Sequence, residues 1–363
     1  MNIQLKLGLV VGILLFASSP CIALQSGSRG SGSVASPAIQ STQSVVQGFS
    51  AGPSLEQFPN QFNSPGVTFQ GGVSNSPSSP TATPTPQATT SSGRSSVGIP
   101  DSSLVDPIFE INDPASVYSV SHSAWDCLLS RYMVTDAVGV KRLRYGDVTP
   151  EDRNELKGYL QYLQSIDTRT LNRNEQLAFW FNLYNARTVD IVLDNYPIRS
   201  IRQVKMKFTD FVGPFDDPGV VTVLGKPLSL NDIESGIVRP VWKDPRIHYA
   251  LNCASFGCPN LSPQAWTAAN LDGRLNGAAY EYINSNRAIR RGLFGVRVSK
   301  IFKWNKDDFG GNDQAVLNHL RQYASPSTQQ KLQGQQSICG YFYDWSLNDG
   351  KITRRRLLEP VIR

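Results

Sequence analysis

One stretch of the chain concentrates residue types capable of chemistry. Asp244 to Leu261 reads DPRIHYALNCASFGCPNL and carries His248, Cys253 and Cys258, drawn from only three histidines and five cysteines in the whole chain. An imidazole beside a thiol lowers the thiol pKa and accepts its proton, which makes a nucleophile for acyl transfer. Two nearby thiols can instead close a disulfide, and a bridge between Cys253 and Cys258 would contribute roughly 2 kcal/mol in the chain-entropy model. Cycling between the two states would make a redox pair, although the C-x4-C spacing differs from the C-x-x-C of thioredoxin-like proteins. One histidine and two cysteines at these spacings match no standard zinc pattern, so no metal and no cofactor is expected.

The elements around these residues decide which reading is feasible. Ile247, Tyr249 and Leu251 alternate with His248, Ala250 and Asn252, the period of a half-buried strand. Ser255, Gly257, Pro259 and Asn260 then predict a tight turn bearing the cysteines. On a continuous strand His248 and Cys253 would face opposite ways, so the pair needs a turn at or after Asn252. Once an N-terminal cysteine is set aside, Cys127 and Cys339 complete a set of four, which allows three disulfide connectivities.

Upstream, EQLAFWFNLYNARTVDIVLDN (Glu175 to Asn195) is apolar almost all round and predicts a central, buried helix. Asn172 or Asn174 supplies its cap and Pro197 its end. Asn182 and Asn185 share a face of it. Buried amides need partners, so the two either tie the helix to neighbouring loops or line a pocket beside the cysteine loop. Other helices are expected over 117–132, from Pro150 behind the Thr149 cap, over 270–286 and over 313–323. Strands are expected over 220–224, 294–299 and 338–345. Helices interleaved with a few strands indicate an α+β domain.

The outer parts of the chain read differently. Lys6, the apolar run Leu7 to Phe16 and Cys21-Ile22-Ala23 resemble an export signal cleaved after Ala23. The run is about half the roughly 20 residues of a membrane span, so the mature protein is expected not to cross a membrane. Pro20 ahead of Cys21 argues against lipidation, and an uncleaved anchor is the rival reading. Residues 24–100 are Ser, Thr, Pro, Gly and Gln with sparse apolar groups such as Phe58 and Phe62, a composition expected to form a disordered tether. Residues 101–363 are then one globular domain. The net charge of +6, from 35 basic and 29 acidic side chains, is too mild for a nucleic-acid partner. Arg290-Arg291 and Arg354-Arg355-Arg356 are the denser clusters.

Five blocks in order carry a family resemblance: AFWFNLYNA (Ala178 to Ala186), YPIRSI (Tyr196 to Ile201), DPRIHYALNCASFGCPNL, SKIFKW with DDF (Ser299 to Trp304, Asp307 to Phe309) and YDWSLN (Tyr343 to Asn348). Together they resemble domain of unknown function family 547, most distinctively over 172–285. The resemblance implies a family of bacteria and plants without an established activity. A papain-like or transglutaminase-like fold, with the central helix on a small, mostly antiparallel sheet, would suit these elements. Such folds place the nucleophile at the N-terminus of the central helix, where this chain has no cysteine.

The first reading is therefore an exported envelope protein whose cleft, near His248, Cys253 and Cys258, binds an envelope ligand or protein, with the cysteines structural. The alternative is a Cys–His hydrolase or acyl transferase of an envelope amide or ester. Cys253 or Cys258 would be the nucleophile and His248 the base, with Asn182, Asn185, Asn252 and Asp344 lining the site, and Asn185 or Asn252 serving as orienter or oxyanion donor.

Overall fold

The computed structural model describes residues 106–205 and 213–351. The export signal, the tether and the Arg354 to Arg356 cluster lie outside the described residues. The helices are α1 (Ser123–Tyr132), α2 (Pro150–Gln164), α3 (Arg173–Asn195), α4 (Arg239–Trp242), α5 (Leu271–Ile283), α6 (Ile301–Trp304), α7 (Asp313–Gln322) and α8 (Pro326–Leu332). The strands are β1 (Met133–Thr135), β2 (Lys141–Leu143), β3 (Val221–Val223), β4 (Lys226–Leu228), β5 (Ile289–Gly292), β6 (Gly295–Ser299) and β7 (Ile338–Phe342). The fold class is α+β, as expected.

Local chemistry accounts for the principal helices. Thr149 Oγ1 accepts the Asp152 N–H at 3.2 Å and Pro150 opens α2, where its missing N–H costs nothing. Asn172 Oδ1 accepts the Glu175 N–H at 3.0 Å to start α3. Tyr196, which precedes Pro197, is extended and ends it. α3 is buried on nearly every face, and its buried carboxylates and amides have partners: Glu175 Oε1, for example, accepts the Val120 N–H at 2.7 Å.

The sheets are small. β1–β2 and β3–β4 are isolated antiparallel hairpins, whereas β5–β6–β7 joins an antiparallel pair to a parallel one. The helix α3 packs chiefly along α2 and against the wide-turned segment Asp232–Val238. The apolar core has two parts. One surrounds α3; the other gathers α5, β5, β6 and α7. The segment 245–251 lies where they meet, with Ile247, Ala250 and Leu251 in the first part and Tyr249 in the second.

The helix expected over 117–132 begins at Ser123 and the strand expected over 338–345 ends at Phe342, and two further local expectations are corrected. His248 lies on a 3-10 helix, Pro245–Tyr249, and not on a strand. Asp244 Oδ1 accepts the Arg246 N–H at 2.8 Å and Pro245 presets a helical φ, so the Asp-Pro pair overrides the alternating pattern that follows. Phe294 occupies the turn between β5 and β6 and does not begin a strand.

Candidate functional site

The cysteine loop is held from both sides. On one side, the C-terminal segment runs beside it. Ala254 O accepts the Asn348 N–H at 2.9 Å, Ser346 O accepts the Phe256 N–H at 2.6 Å, and Asp344 O accepts the Gly257 N–H at 2.8 Å. Gly257 is required there, since a Cβ would sit 2.8 Å from Asp344 N and 2.9 Å from its O. Ala254 adopts a left-handed conformation, φ 57°, rare for a residue with a side chain. Asn252 Oδ1 accepts its N–H at 2.9 Å and helps to hold that strain immediately after Cys253.

On the other side stands α3. Asn185 Nδ2 donates to Ala250 O at 2.9 Å, and Asn185 Oδ1 accepts the Asn252 N–H at 2.8 Å. Asn182 does the same for Trp266, at 2.8 and 3.0 Å. Both asparagines act as two-point clamps on passing backbone. Of the four residues expected to line the site, none borders the cavity described next. Asn182, Asn185 and Asn252 are committed to the fold, and the exposed Asp344 carboxylate accepts the Ser346 N–H at 2.8 Å and its hydroxyl at 2.6 Å.

His248, Cys253 and Cys258 do converge, on the wall of a cavity of about 380 Å³. Turning the His248 segment into a 3-10 helix removes the opposite-face problem that a strand would have posed. Two polar walls result, and they differ in kind.

The first wall is the thiol pair. Cys253 Sγ lies 2.9 Å from Cys258 Sγ, 3.1 Å from Ser255 Oγ and 3.2 Å from Tyr343 Oη. The Cys258 S–H, followed by the Ser255 and Tyr343 hydroxyls and the Ser255 N–H, stabilises a Cys253 thiolate and outweighs burial, bringing its pKa down to about 7. Burial and the neighbouring thiolate push Cys258 the other way, well above the usual thiol range. The two sulfurs are not bonded. Cys253 and Cys258 are both free thiols, so a Cys253–Cys258 bridge is not part of this structure.

The second wall is ionic. Buried His248 points Nε2 at Asp308 Oδ2, 2.6 Å away, and Nδ1 at Glu234 Oε1, 3.4 Å away. Burial opposes its charge, but the two carboxylates prevail and raise the His248 pKa. Asp308 also receives Arg239 Nε at 2.6 Å. Burial works against the Asp308 carboxylate, yet His248 and Arg239 draw its pKa down to about 2. Glu234 borders the cavity and lies 3.4 Å from Tyr184 Oη. With both ring nitrogens facing carboxylates, His248 makes no hydrogen bond to Cys253.

Trp304, Tyr343 and Trp345 close the cavity with ring centroids 4.8 Å apart (Trp304–Tyr343 and Tyr343–Trp345) and 5.7 Å apart (Trp304–Trp345). The parallel pairing of β6 with β7 assembles this cluster, because both strands end on the same side and deliver the residues that follow them to one place.

Sequence reading missed Glu234, Arg239, Asp308 and the aromatic wall. Asp308, Trp304, Tyr343 and Trp345 stand inside the blocks DDF, SKIFKW and YDWSLN that carry the family resemblance, which was the available signal. Glu234 and Arg239 carried none. No cluster of metal-ligating side chains occurs among the described residues.

No curated protein and no solved structure matches this chain. A family model described as "Protein of unknown function, DUF547" matches residues 168–283. That match spans α3, Glu234, His248 and both cysteines, while Asp308 and the aromatic wall lie beyond it. The chain therefore carries a DUF547-like domain, and the thiol pair lies within it.

Proposed function

We propose that the cavity is a substrate site in which the Cys253 thiolate attacks the carbonyl carbon of an amide or ester. The observation that carries this reading is the ring of donors around Cys253 Sγ at a cavity wall. Attack forms a carbon–sulfur bond and moves the carbonyl π pair onto oxygen. Collapse expels the amine or alkoxide, which takes a proton from the Glu234–His248 pair and leaves a thioester on Cys253. Water then attacks the thioester, returns a proton to that pair and releases the acid and the thiolate. An acceptor amine or alcohol in place of water would make the reaction a transfer. Glu234 and His248 serve as proton store, and Asp308 with Arg239 keeps the imidazole oriented. A substrate from the cell envelope is supported by the N-terminal pattern of Lys6 and Leu7 to Phe16.

The test is alkylation of the intact protein across pH, mapped by mass spectrometry, with exposed Cys339 as internal reference. Cys253 is expected to reach half its maximal rate near pH 7, against roughly 8.5 for an unperturbed thiol. Labelling of Cys253 no faster than Cys339 at pH 6 would leave a cleft that binds without covalent chemistry.

A second reading has its own observation, the 2.9 Å between the sulfurs. A disulfide needs about 2.05 Å, so a small approach would join them. Cys253 would be the attacking thiolate and Cys258 the buried resolving thiol. Two electrons and the Cys258 proton would pass to a disulfide or peroxide acceptor, which leaves as a thiol and thiolate or as water and hydroxide. Protein isolated without reductant that shows a Cys253–Cys258 crosslink and reacts with neither alkylator nor ester would favour this reading.

A further inference from the structure

The sheet β5–β6–β7 has two ends. One delivers Trp304, Tyr343 and Trp345 to the cavity. At the other, Gly292 pairs with Gly295, leaving Leu293 and Phe294 as the two central residues of the hairpin loop. Such loops favour Asn, Asp and Gly, which accept the backbone twist of a tight turn. Here two large apolar side chains occupy the turn, each 89% exposed. Neither contributes to the core.

Charge around the tip is of one sign. Arg290, Arg291 and Arg297 are exposed on β5 and β6, and Lys331 lies on α8, which packs against β5. Residues 285–299 and 325–342 contain no Asp or Glu. The carboxylate reaching this sheet from α7, Asp313, is spent on Lys306 at 2.5 Å and on the Ile338 N–H. Arg290 lies over the Phe342 ring, 4.0 Å from its centroid, and Arg297 reaches Tyr341 O at 3.3 Å. These contacts engage the guanidinium groups without a carboxylate, and among the described residues none of the three arginines has an acidic partner.

We propose that the β5–β6 hairpin is a peripheral docking element for an anionic lipid surface, with Leu293 and Phe294 entering the interface and Arg290, Arg291 and Arg297 meeting the headgroups. Apolar side chains at a tip ringed by basic residues combine the two attractions that such surfaces offer. The apolar tip favours a bilayer over a soluble polyanion, which has no hydrocarbon to receive it. Strands rise about 3.3 Å per residue, so docking here would hold the cavity some 15 Å from the tip, open to its substrate. This inference does not depend on the chemistry of Cys253.

The experiment is cosedimentation of the full chain with vesicles of phosphatidylcholine alone or with phosphatidylglycerol. Wild type is compared with a Leu293→Ser, Phe294→Ser variant, so that the N-terminal apolar run contributes equally to both. A Phe294→Trp variant in vesicles with brominated acyl chains adds a readout local to the tip. Expected are binding that rises with phosphatidylglycerol and falls with salt, a loss of at least about tenfold in the serine variant, and quenching of the added tryptophan. Replacing Arg290 or Arg291 by Gln should cost about fivefold each. Equal binding by wild type and the serine variant, or no quenching at position 294, overturns the proposal. Binding to heparin as tight as to vesicles, unaffected by the serine changes, also overturns it and points to a polyanion. An unchanged thermal midpoint establishes that the variant is folded.

Discussion

The two polar walls of the cavity hold charge by different means. The thiol wall favours charge with neutral parts: Cys258, Ser255 and Tyr343 surround one sulfur within hydrogen-bond distance, and their convergence lowers its pKa. The ionic wall binds charges that already exist, with Asp308 between Arg239 and His248, and Glu234 on the far side of the ring. The thiol wall is mostly local in sequence, with Tyr343 as its distant member. The ionic wall gathers residues from 234 to 308. A charge made by weak donors should respond gradually when one is removed, whereas a half-buried ion network should fail sharply.

The largest effect should come from Cys253→Ser, which is expected to abolish alkylation at the site and any ester or amide turnover while leaving the unfolding midpoint nearly unchanged. Loss of fold in that variant would mean that the sulfur is structural and would erase the contrast between the walls. Next, Asp308→Asn leaves Arg239 and His248 without their shared carboxylate and should cost roughly 3 kcal/mol in urea unfolding. Asn185→Ala and Asn182→Ala each strip partners from buried backbone and should cost about 2 kcal/mol apiece. Only Asn185→Ala should also blunt the reactivity of Cys253, because only Asn185 holds the strand of chain entering the cysteine loop. Tyr343→Phe should have the mildest effect, raising the half-labelling pH of Cys253 by about one unit or less through loss of one donor.

The histidines extend the comparison to pH. His122 is buried and His319 partly buried, neither ion-paired with a carboxylate among the described residues, and desolvation lowers each to about 4. Their folded pKa lies below the unfolded value, so the stability they contribute is present above about pH 6.5 and is lost as pH falls towards 4. His248 has the opposite sign. Its contribution is complete below about pH 6.5 and is lost as pH rises through its raised folded pKa. Urea midpoints measured across pH should therefore fall on the acid side, and His319→Phe should flatten that limb. Asp308→Asn should weaken the alkaline decline.

Much of the site was legible before the structure. His248, Cys253 and Cys258 stood out by rarity and closeness, and all three border the cavity. The central helix was visible from its unbroken apolar character, its Asn cap and Pro197. Asn182 and Asn185 were also conspicuous, and of the two roles open to them the structure shows the clamping one. A buried amide reads the same in sequence whether it faces a ligand or a neighbour's backbone. The His248 segment was misread because alternation of apolar residues is shared by strands and by short turns buried between two cores, and there the Asp244-Pro245 start carried the deciding information.

The sequence by itself determined where α2 and α3 begin and where α3 ends, that α3 is interior, and that the reactive groups lie together near residue 250. Those outcomes follow from capping, proline geometry and hydrophobic period, all of which act over a few residues. Only the tertiary structure decided that Asp308 and Glu234 face His248 from both sides. The same holds for Tyr343 reaching the Cys253 sulfur from ninety residues away in sequence and for β6 pairing in parallel with β7 to bring the aromatic wall together. Those contacts depend on which surfaces meet once the two core clusters close on each other, and short-range propensity carries no trace of that meeting.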